Sequence, residues 1–176
     1  LAEIVNECEA QGVAPPVVCQ PYYNLLNRMP EVEVLPACDH YGIGVAAYSP
    51  LARGVLTAKY RADGSGPKDS RAAVKDARFL ETEFRAESLA IAATLAKRAK
   101  KTGRTLTQFA LAWLWANDIV TAIIAGPRTI EQWKAAQRDH AMHAALTDAA
   151  ASSCVAHVRA MLDFHAMGIP VVDYGN

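Results

Sequence analysis

The sequence predicts an α/β fold built on a parallel sheet. The first observation is three short apolar runs, at 17–20, 43–47 and 119–125, which read as strands covered by other elements. The second is that helical patterns separate them, giving helix, strand, helix, strand, helices, strand, helix. The third is a mismatch of scale. Three strands cannot close a barrel, and an open sheet of three is small for this many helices. The expectation is therefore the second part of a larger α/β domain. The chain also opens at Leu1, without Met, inside an amphipathic segment where Leu1, Ile4, Val5 and Cys8 share a face.

Each element has its own signal. Residues 1–11 read as a helix closed by Gly12, with Pro15 and Pro16 breaking the chain after it. Residues 17–20 form a short buried strand that Pro21 ends. Residues 22–29 are a loop, and Pro30 suits the first position of the next helix, which carries Val32, Val34, Leu35 and Cys38 and stops near Gly42. After the central strand, residues 60–79 form a polar loop with Gly64 and Gly66; loops of this length are uncommon without a function of their own. One long helix is expected at 81–101, with Phe84, Ile91, Leu95 and Ala99 on its inner face. Thr105 and Gln108 are spaced as a capping box opening a second helix, 105–116, apolar almost all round and so deeply buried. A third strand at 119–125 turns through residues 126–129 into a helix at 130–138, and a last helix spans 147–162.

Composition excludes several classes. With 176 residues, 52% of them hydrophobic, the chain can fill a core. Eighteen basic and eighteen acidic side chains cancel, giving no basis for a nucleic-acid or anionic-membrane partner. No apolar run approaches the roughly 20 residues of a membrane span, and no secretion leader is visible. Cys8, Cys19, Cys38 and Cys154 form no CxxC pair and read as free thiols in a reducing, cytoplasmic setting. His140 and His143 lie one helical turn apart beside Asp139, without a third ligand at a recognisable metal spacing.

The stretch that organises the rest is 42–54, Gly-Ile-Gly-Val-Ala-Ala-Tyr-Ser-Pro-Leu-Ala-Arg-Gly. A buried strand runs to Tyr48, and Pro50, having no N–H, stops the ladder. Ligands gather at the carboxyl ends of parallel strands. An aromatic ring, a hydroxyl and a glycine at that end make either a binding loop or an ordinary core strand closing in a turn.

Four stretches, Gln20-Pro-Tyr-Tyr-Asn-Leu-Leu-Asn-Arg, Tyr48-Ser-Pro-Leu-Ala-Arg-Gly, Leu106-Thr-Gln-Phe-Ala-Leu-Ala-Trp-Leu and Ile124-Ala-Gly-Pro-Arg-Thr-Ile-Glu-Gln, resemble the aldo-keto reductases in order and spacing. The nearest branch is the bacterial and potassium-channel-β-subunit-like group, and the resemblance runs from residue 1 to about 150. It implies a (β/α)8 TIM barrel of which this chain, residues 1–176, supplies the sixth, seventh and eighth strands. It also implies an NADPH-dependent reductase of aldehydes or ketones. The family's tetrad of Asp, Tyr, Lys and His belongs to earlier strands, so no catalytic residue carries over and the chain alone is expected to be inactive. The implied partners are a small carbonyl substrate and the N-terminal half of the same barrel, with homo-oligomer formation left open. A second implied reading is a cofactor-binding regulatory subunit with little turnover.

What the resemblance carries over is a cofactor cradle. Gln20 matches the amide that meets the nicotinamide carboxamide, against a plain strand-end glutamine. Tyr48 matches the aromatic that stacks on the nicotinamide, against a core tyrosine. Ser49, Pro50, Leu51 and Gly54 match the loop along the pyrophosphate, where backbone N–H groups meet anionic oxygens. Lys59 and Arg71 fall at or near phosphate contacts from the lid-like loop; for Lys59 a solvated side chain is the competing reading. Gly126, Arg128 and Gln132 match the loop and helix start that hold the adenosine 2′-phosphate and ribose, and Arg128 offers a bidentate fork. Gln132 also reads as the far half of a capping box with Thr129. Ala135 and Ala136 stand where the family commonly has Glu and Asn against adenine, a departure that Gln137 could offset.

Overall fold

The computed structural model describes residues 1–127, 129–131 and 134. Three strands, β1 (Val18–Cys19), β2 (Gly44–Ala47) and β3 (Val120–Ile123), lie side by side in sequence order and all run parallel. Val18 pairs with Gly44 and Cys19 with Val45. On the other side Val45 faces Val120 but Ala46 faces Ala122, so Thr121 bulges out of register. Its hydroxyl accepts the Val45 N–H at 3.1 Å, which satisfies the donor that the bulge displaces.

The strands are shorter than their apolar runs, and β1 departs from the expected buried strand. Val17 and Val18 are exposed, because β1 has a neighbour on one side only within the described sheet. Three helices cover one face: α1 (Ala2–Gln11), α2 (Val34–His40) and α5 (Leu106–Trp115). From them Val5, Leu35, Cys38 and Leu114 join Ile43, Val45, Ala47 and Val120 in a first core. Gly12 ends α1 in the left-handed conformation at φ 65°, returning its N–H to Cys8 and Glu9 carbonyls, as its position in the sequence predicts. Pro30 opens a 3-10 turn, Met29–Glu31, and α2 begins after it at Val34.

A second core lies under the loop after β2. There Ala52, Val55, Leu56 and Tyr60 pack on Phe79, Leu89, Ala92, Leu106 and Ala110. The expected single helix at 81–101 is two, α3 (Ala77–Thr82) and α4 (Ala86–Lys101), and α3 starts inside the stretch read as loop. The break has a packing cause. Phe84 leaves the helical path to place its ring 5.1 Å from both Tyr60 and Phe79, and its N–H caps the Phe79 carbonyl at 3.0 Å. The new start shifts the inward face of α4 to Leu89, Ala92 and Ala99, leaving Ile91 48% exposed.

The capping box of α5 is present, Thr105 accepting from the Gln108 N–H while the Gln108 side chain accepts from the Thr105 N–H. The helix buries Leu106, Ala110, Leu111 and Leu114, whereas Phe109, Trp113 and Trp115 are only half-buried. Among the described residues the cysteines at 8, 19 and 38 are free thiols. Burial, with Cys19 adjacent, pushes the Cys38 thiol up to about 11. No described helix is long and apolar enough to cross a membrane. No group of His, Cys, Asp and Glu among the described residues could hold a metal ion. Cys154, His140, His143, Ala135 to Gln137 and the helix at 147–162 lie outside the described residues.

Candidate functional site at the strand ends

The carboxyl ends of the three strands come together at one edge. Gln20 follows β1, Tyr48 follows β2, and Gly126 lies just beyond β3. The chain stays stitched past the regular ladder: the Tyr48 N–H donates to Pro21 at 3.0 Å, and the Ile124 N–H donates to Ala47 at 2.9 Å. A bridge also pairs Tyr22 with Tyr48. Since Ile43, Val45 and Ala47 point into the helix-side core, alternation sends Tyr48 to the opposite face. The parallel register puts Gln20 and Tyr22 on that same face. Gln20 is exposed, and its amide makes no hydrogen bond to another described residue. Tyr48 is half-buried against Tyr22, ring centroids 5.3 Å apart and planes tilted 34°.

The loop after Tyr48 is unusual backbone. Ser49, Ala52, Arg53 and Ala58 all have positive φ, between 45° and 60°, four of the five non-glycine residues so placed in the described chain. Such conformations cost about 1–3 kcal/mol each and persist only where the surroundings impose them. The surroundings here are specific. Buried Asn24 donates to the Ser49 carbonyl at 3.0 Å while its own oxygen accepts the N–H groups of Leu26 and Asn27. Asn27 in turn donates to the Tyr22 carbonyl at 2.7 Å. The Thr57 hydroxyl donates to Gly54 at 2.8 Å. Pro50 is buried, and Leu51 packs against the second core.

The backbone requires glycine at 54, and the movable end of Lys59 lies over it. The Gly54 φ is 104°, and a Cβ there would lie 2.6 Å from the Lys59 chain and 2.7 Å from its ammonium. Lys59 therefore lies across the loop rather than out in solvent, with its ammonium 5.2 Å from the Tyr60 ring centroid and no carboxylate partner among the described residues. Arg53 is neutralised instead: its Nε lies 3.0 Å from Glu83, whose side chain is 5% exposed. The Tyr22 hydroxyl donates to the same carboxylate oxygen at 3.2 Å. Burial, opposed in part by Asn24 and reinforced by the Glu83 carboxylate, pushes the Tyr22 phenol up to about 12.

Arg71 is tied within its own loop, 3.1 Å from Asp76. Asp76 caps α3 by accepting the Phe79 N–H at 2.9 Å, and that bond, with Arg71 beside it, holds its carboxyl below the ordinary carboxylate value. Gly126 is exposed with open space around it. Arg128 and Gln132 lie outside the described residues. The structure thus gathers Gln20, Tyr48, Ser49, Pro50, Leu51, Gly54 and Lys59, and holds Arg71 in a separate ion pair.

It also shows four residues that the sequence reading left without a role. Asn24 and Asn27 carry a local signal, since Asn in a short polar turn tends to bond nearby backbone groups. Arg53 and Glu83, paired across 30 positions, carry none.

The donors suit an anionic ligand with a flat ring. The N–H groups of Ser49 and Leu51 have no acceptor among the described residues, and the Lys59 ammonium lies on the same loop. Parallel strands carry their ligand sites at their carboxyl ends, where this chain places a glycine-bearing loop and a free amide. The chain belongs to the Aldo/keto reductase family, whose description by sequence matches residues 2–159. It is 37% identical over 133 residues to the oxidoreductase YrpG of Bacillus subtilis, covering 75% of this chain and 38% of that protein. It is 41% identical over 125 residues to a probable voltage-gated potassium channel subunit beta of Oryza sativa, covering 70% and 37%. With the L-glyceraldehyde 3-phosphate reductase of Escherichia coli it shares 34% over 125 residues, covering 67% and 35%. The chain thus spans well under half the length of these relatives, and it lies near the channel-subunit-like reductases.

Proposed function

We propose that this chain forms the cofactor-holding part of a (β/α)8 barrel, its sixth to eighth strands, in an NADPH-dependent reductase of aldehydes or ketones. The observation that carries the reading is the strained, clamped loop at 49–58, with Lys59 lying across Gly54 and Tyr48 at its entrance. The strands' parallel order and the family membership support the barrel placement.

In this reading Gln20 offers its amide as donor and acceptor to the carboxamide. Tyr48, steadied by Tyr22, presents a ring face for stacking, worth roughly 0.5–1.5 kcal/mol beyond burial. Ser49, Pro50, Leu51 and Gly54 shape the pyrophosphate cradle, and Lys59 supplies positive charge. Arg71 becomes a phosphate contact by exchanging Asp76 for the ligand. Gly126, Arg128 and Gln132 are assigned to the 2′-phosphate and ribose, which favours NADPH over NADH. The bound cofactor supplies hydride to the carbonyl, and the acid that protonates the developing alkoxide comes from outside this chain.

The test is full-length protein mixed with NADPH and simple aldehydes, following loss of the reduced-nicotinamide absorbance. Steady turnover, lost in a Tyr48→Ala variant through weaker cofactor binding, is the expected result. Bound cofactor that is oxidised only very slowly would favour the second reading, a regulatory subunit, which the likeness to channel β subunits supports. No binding of either nucleotide overturns both.

A further inference from the structure

We propose that Glu83 is a positioning residue for the cofactor loop, acting through Arg53 and Tyr22; this rests on the nicotinamide-nucleotide reading above. One carboxylate oxygen serves both partners, Arg53 at 3.0 Å and the Tyr22 hydroxyl at 3.2 Å, while the Thr82 hydroxyl lies against the other oxygen. The three elements it joins are otherwise far apart in sequence: the loop after β1, the loop after β2, and the end of α3. Tyr22 is the ring against which Tyr48 lies. Arg53 has the left-handed backbone that sits between Leu51 and Gly54. A single carboxylate therefore fixes both the ring platform and the turn of the phosphate cradle.

Stability alone does not account for this arrangement. A buried ion pair is often no more stabilising than apolar residues of the same volume, because desolvation offsets the attraction. What it does supply is direction. With the loop wound as it is, the Arg53 side chain meets the Glu83 carboxylate at 3.0 Å. The pairing also removes Arg53 from competition for a phosphate and leaves Lys59 as the loop's unpaired cation among the described residues.

The experiment compares full-length wild type with Glu83→Gln, Glu83→Asp, Tyr22→Phe and the Tyr22→Phe/Glu83→Gln pair. Each is measured for NADPH dissociation constant by nicotinamide fluorescence, for KM of an aldehyde, and for thermal melting. Glu83→Gln is expected to weaken NADPH binding by roughly tenfold to a hundredfold, with the aldehyde KM little changed and partial recovery in Glu83→Asp. The double variant is expected to bind no worse than Glu83→Gln, since Tyr22 acts through the same carboxylate. Folded variants that bind NADPH within a factor of about two of wild type overturn the proposal, as do Tyr22 and Glu83 effects that simply add. Should Glu83→Gln fail to fold, Tyr22→Phe, which leaves Arg53 paired, decides alone: unchanged NADPH affinity overturns the proposal. Wild type that binds no nucleotide sinks the cofactor reading itself and this inference with it, an outcome distinct from wild-type binding with indifferent variants.

Discussion

The central strand and the loop that leaves it are neighbours in sequence and opposites in construction. From Ile43 to Ala47 the backbone is ordinary and its inward side chains are apolar, held by helices that ask only for volume. From Ser49 to Ala58 four non-glycine residues take left-handed angles, and the chain is held by named polar groups, Asn24, Thr57 and Glu83. The strand is a scaffold that many apolar residues could build. The loop is a shape that few sequences could hold. Strain concentrated beside regular strands is the usual mark of a binding segment.

The contrast can be broken from below. Phe79→Ala should remove a ring from the second core and cost about 3–5 kcal/mol, read as a lower denaturant midpoint; it should also loosen nucleotide binding, because Ala52, Val55 and Leu56 belong to that same core. Asn24→Ala leaves the Leu26 N–H without its acceptor and takes one of two hydrogen bonds from both the Ser49 carbonyl and the Asn27 N–H; the orphaned donor costs about 1–3 kcal/mol. Asn24→Asp keeps the acceptor and should recover part of the loss in the same melt. Gly54→Ala should cost roughly 1–3 kcal/mol from its φ. Lys59 can swing clear of the new methyl, so a fall in nucleotide affinity larger than the fall in stability would show that the lysine's position matters.

Two smaller effects sharpen the comparison. Thr105→Ala removes a helix cap remote from the loop and should cost about 1 kcal/mol without changing nucleotide affinity. The phenols of Tyr22 and Tyr23 are pushed from an ordinary 10 up to about 12, for both chiefly by burial, then by Glu83 for Tyr22 and by Glu31 for Tyr23. Their folded values are raised, so the native state keeps protons that the unfolded chain gives up. That stability is complete below pH 10 and falls away as pH rises towards about 12. Tyr22→Phe should flatten this alkaline loss in pH-dependent unfolding; an unchanged slope would place Tyr22 in water.

How much was legible follows the same division. The alternation of apolar runs and helical faces, Gly12 as a helix stop, and the Thr105–Gln108 box are all written within a few residues of where they act, and each is found. The helix at 81–101 misled because its period continues through Phe84, whose ring packs against Tyr60 and Phe79 where the helix breaks. The exposure of Val17 and Val18 was equally invisible, since a β-rich run does not say how many neighbours it has. Motif resemblance proposed Gln20, Tyr48 and the loop to Gly54 as site residues, and it said nothing of the contacts that hold them.

Local chemistry along the chain was enough to set the alternating parallel architecture, the caps and the residues that end each strand, because periodicity and capping act over one or two turns. The course of Lys59 over Gly54, the tilt of Tyr22 on Tyr48 and the union of Arg53 with Glu83 came from folding, because they join positions that meet only once two separate cores have packed. A carboxylate's role as a clamp depends on which distant cation and hydroxyl arrive beside it, and no spacing rule encodes that arrival.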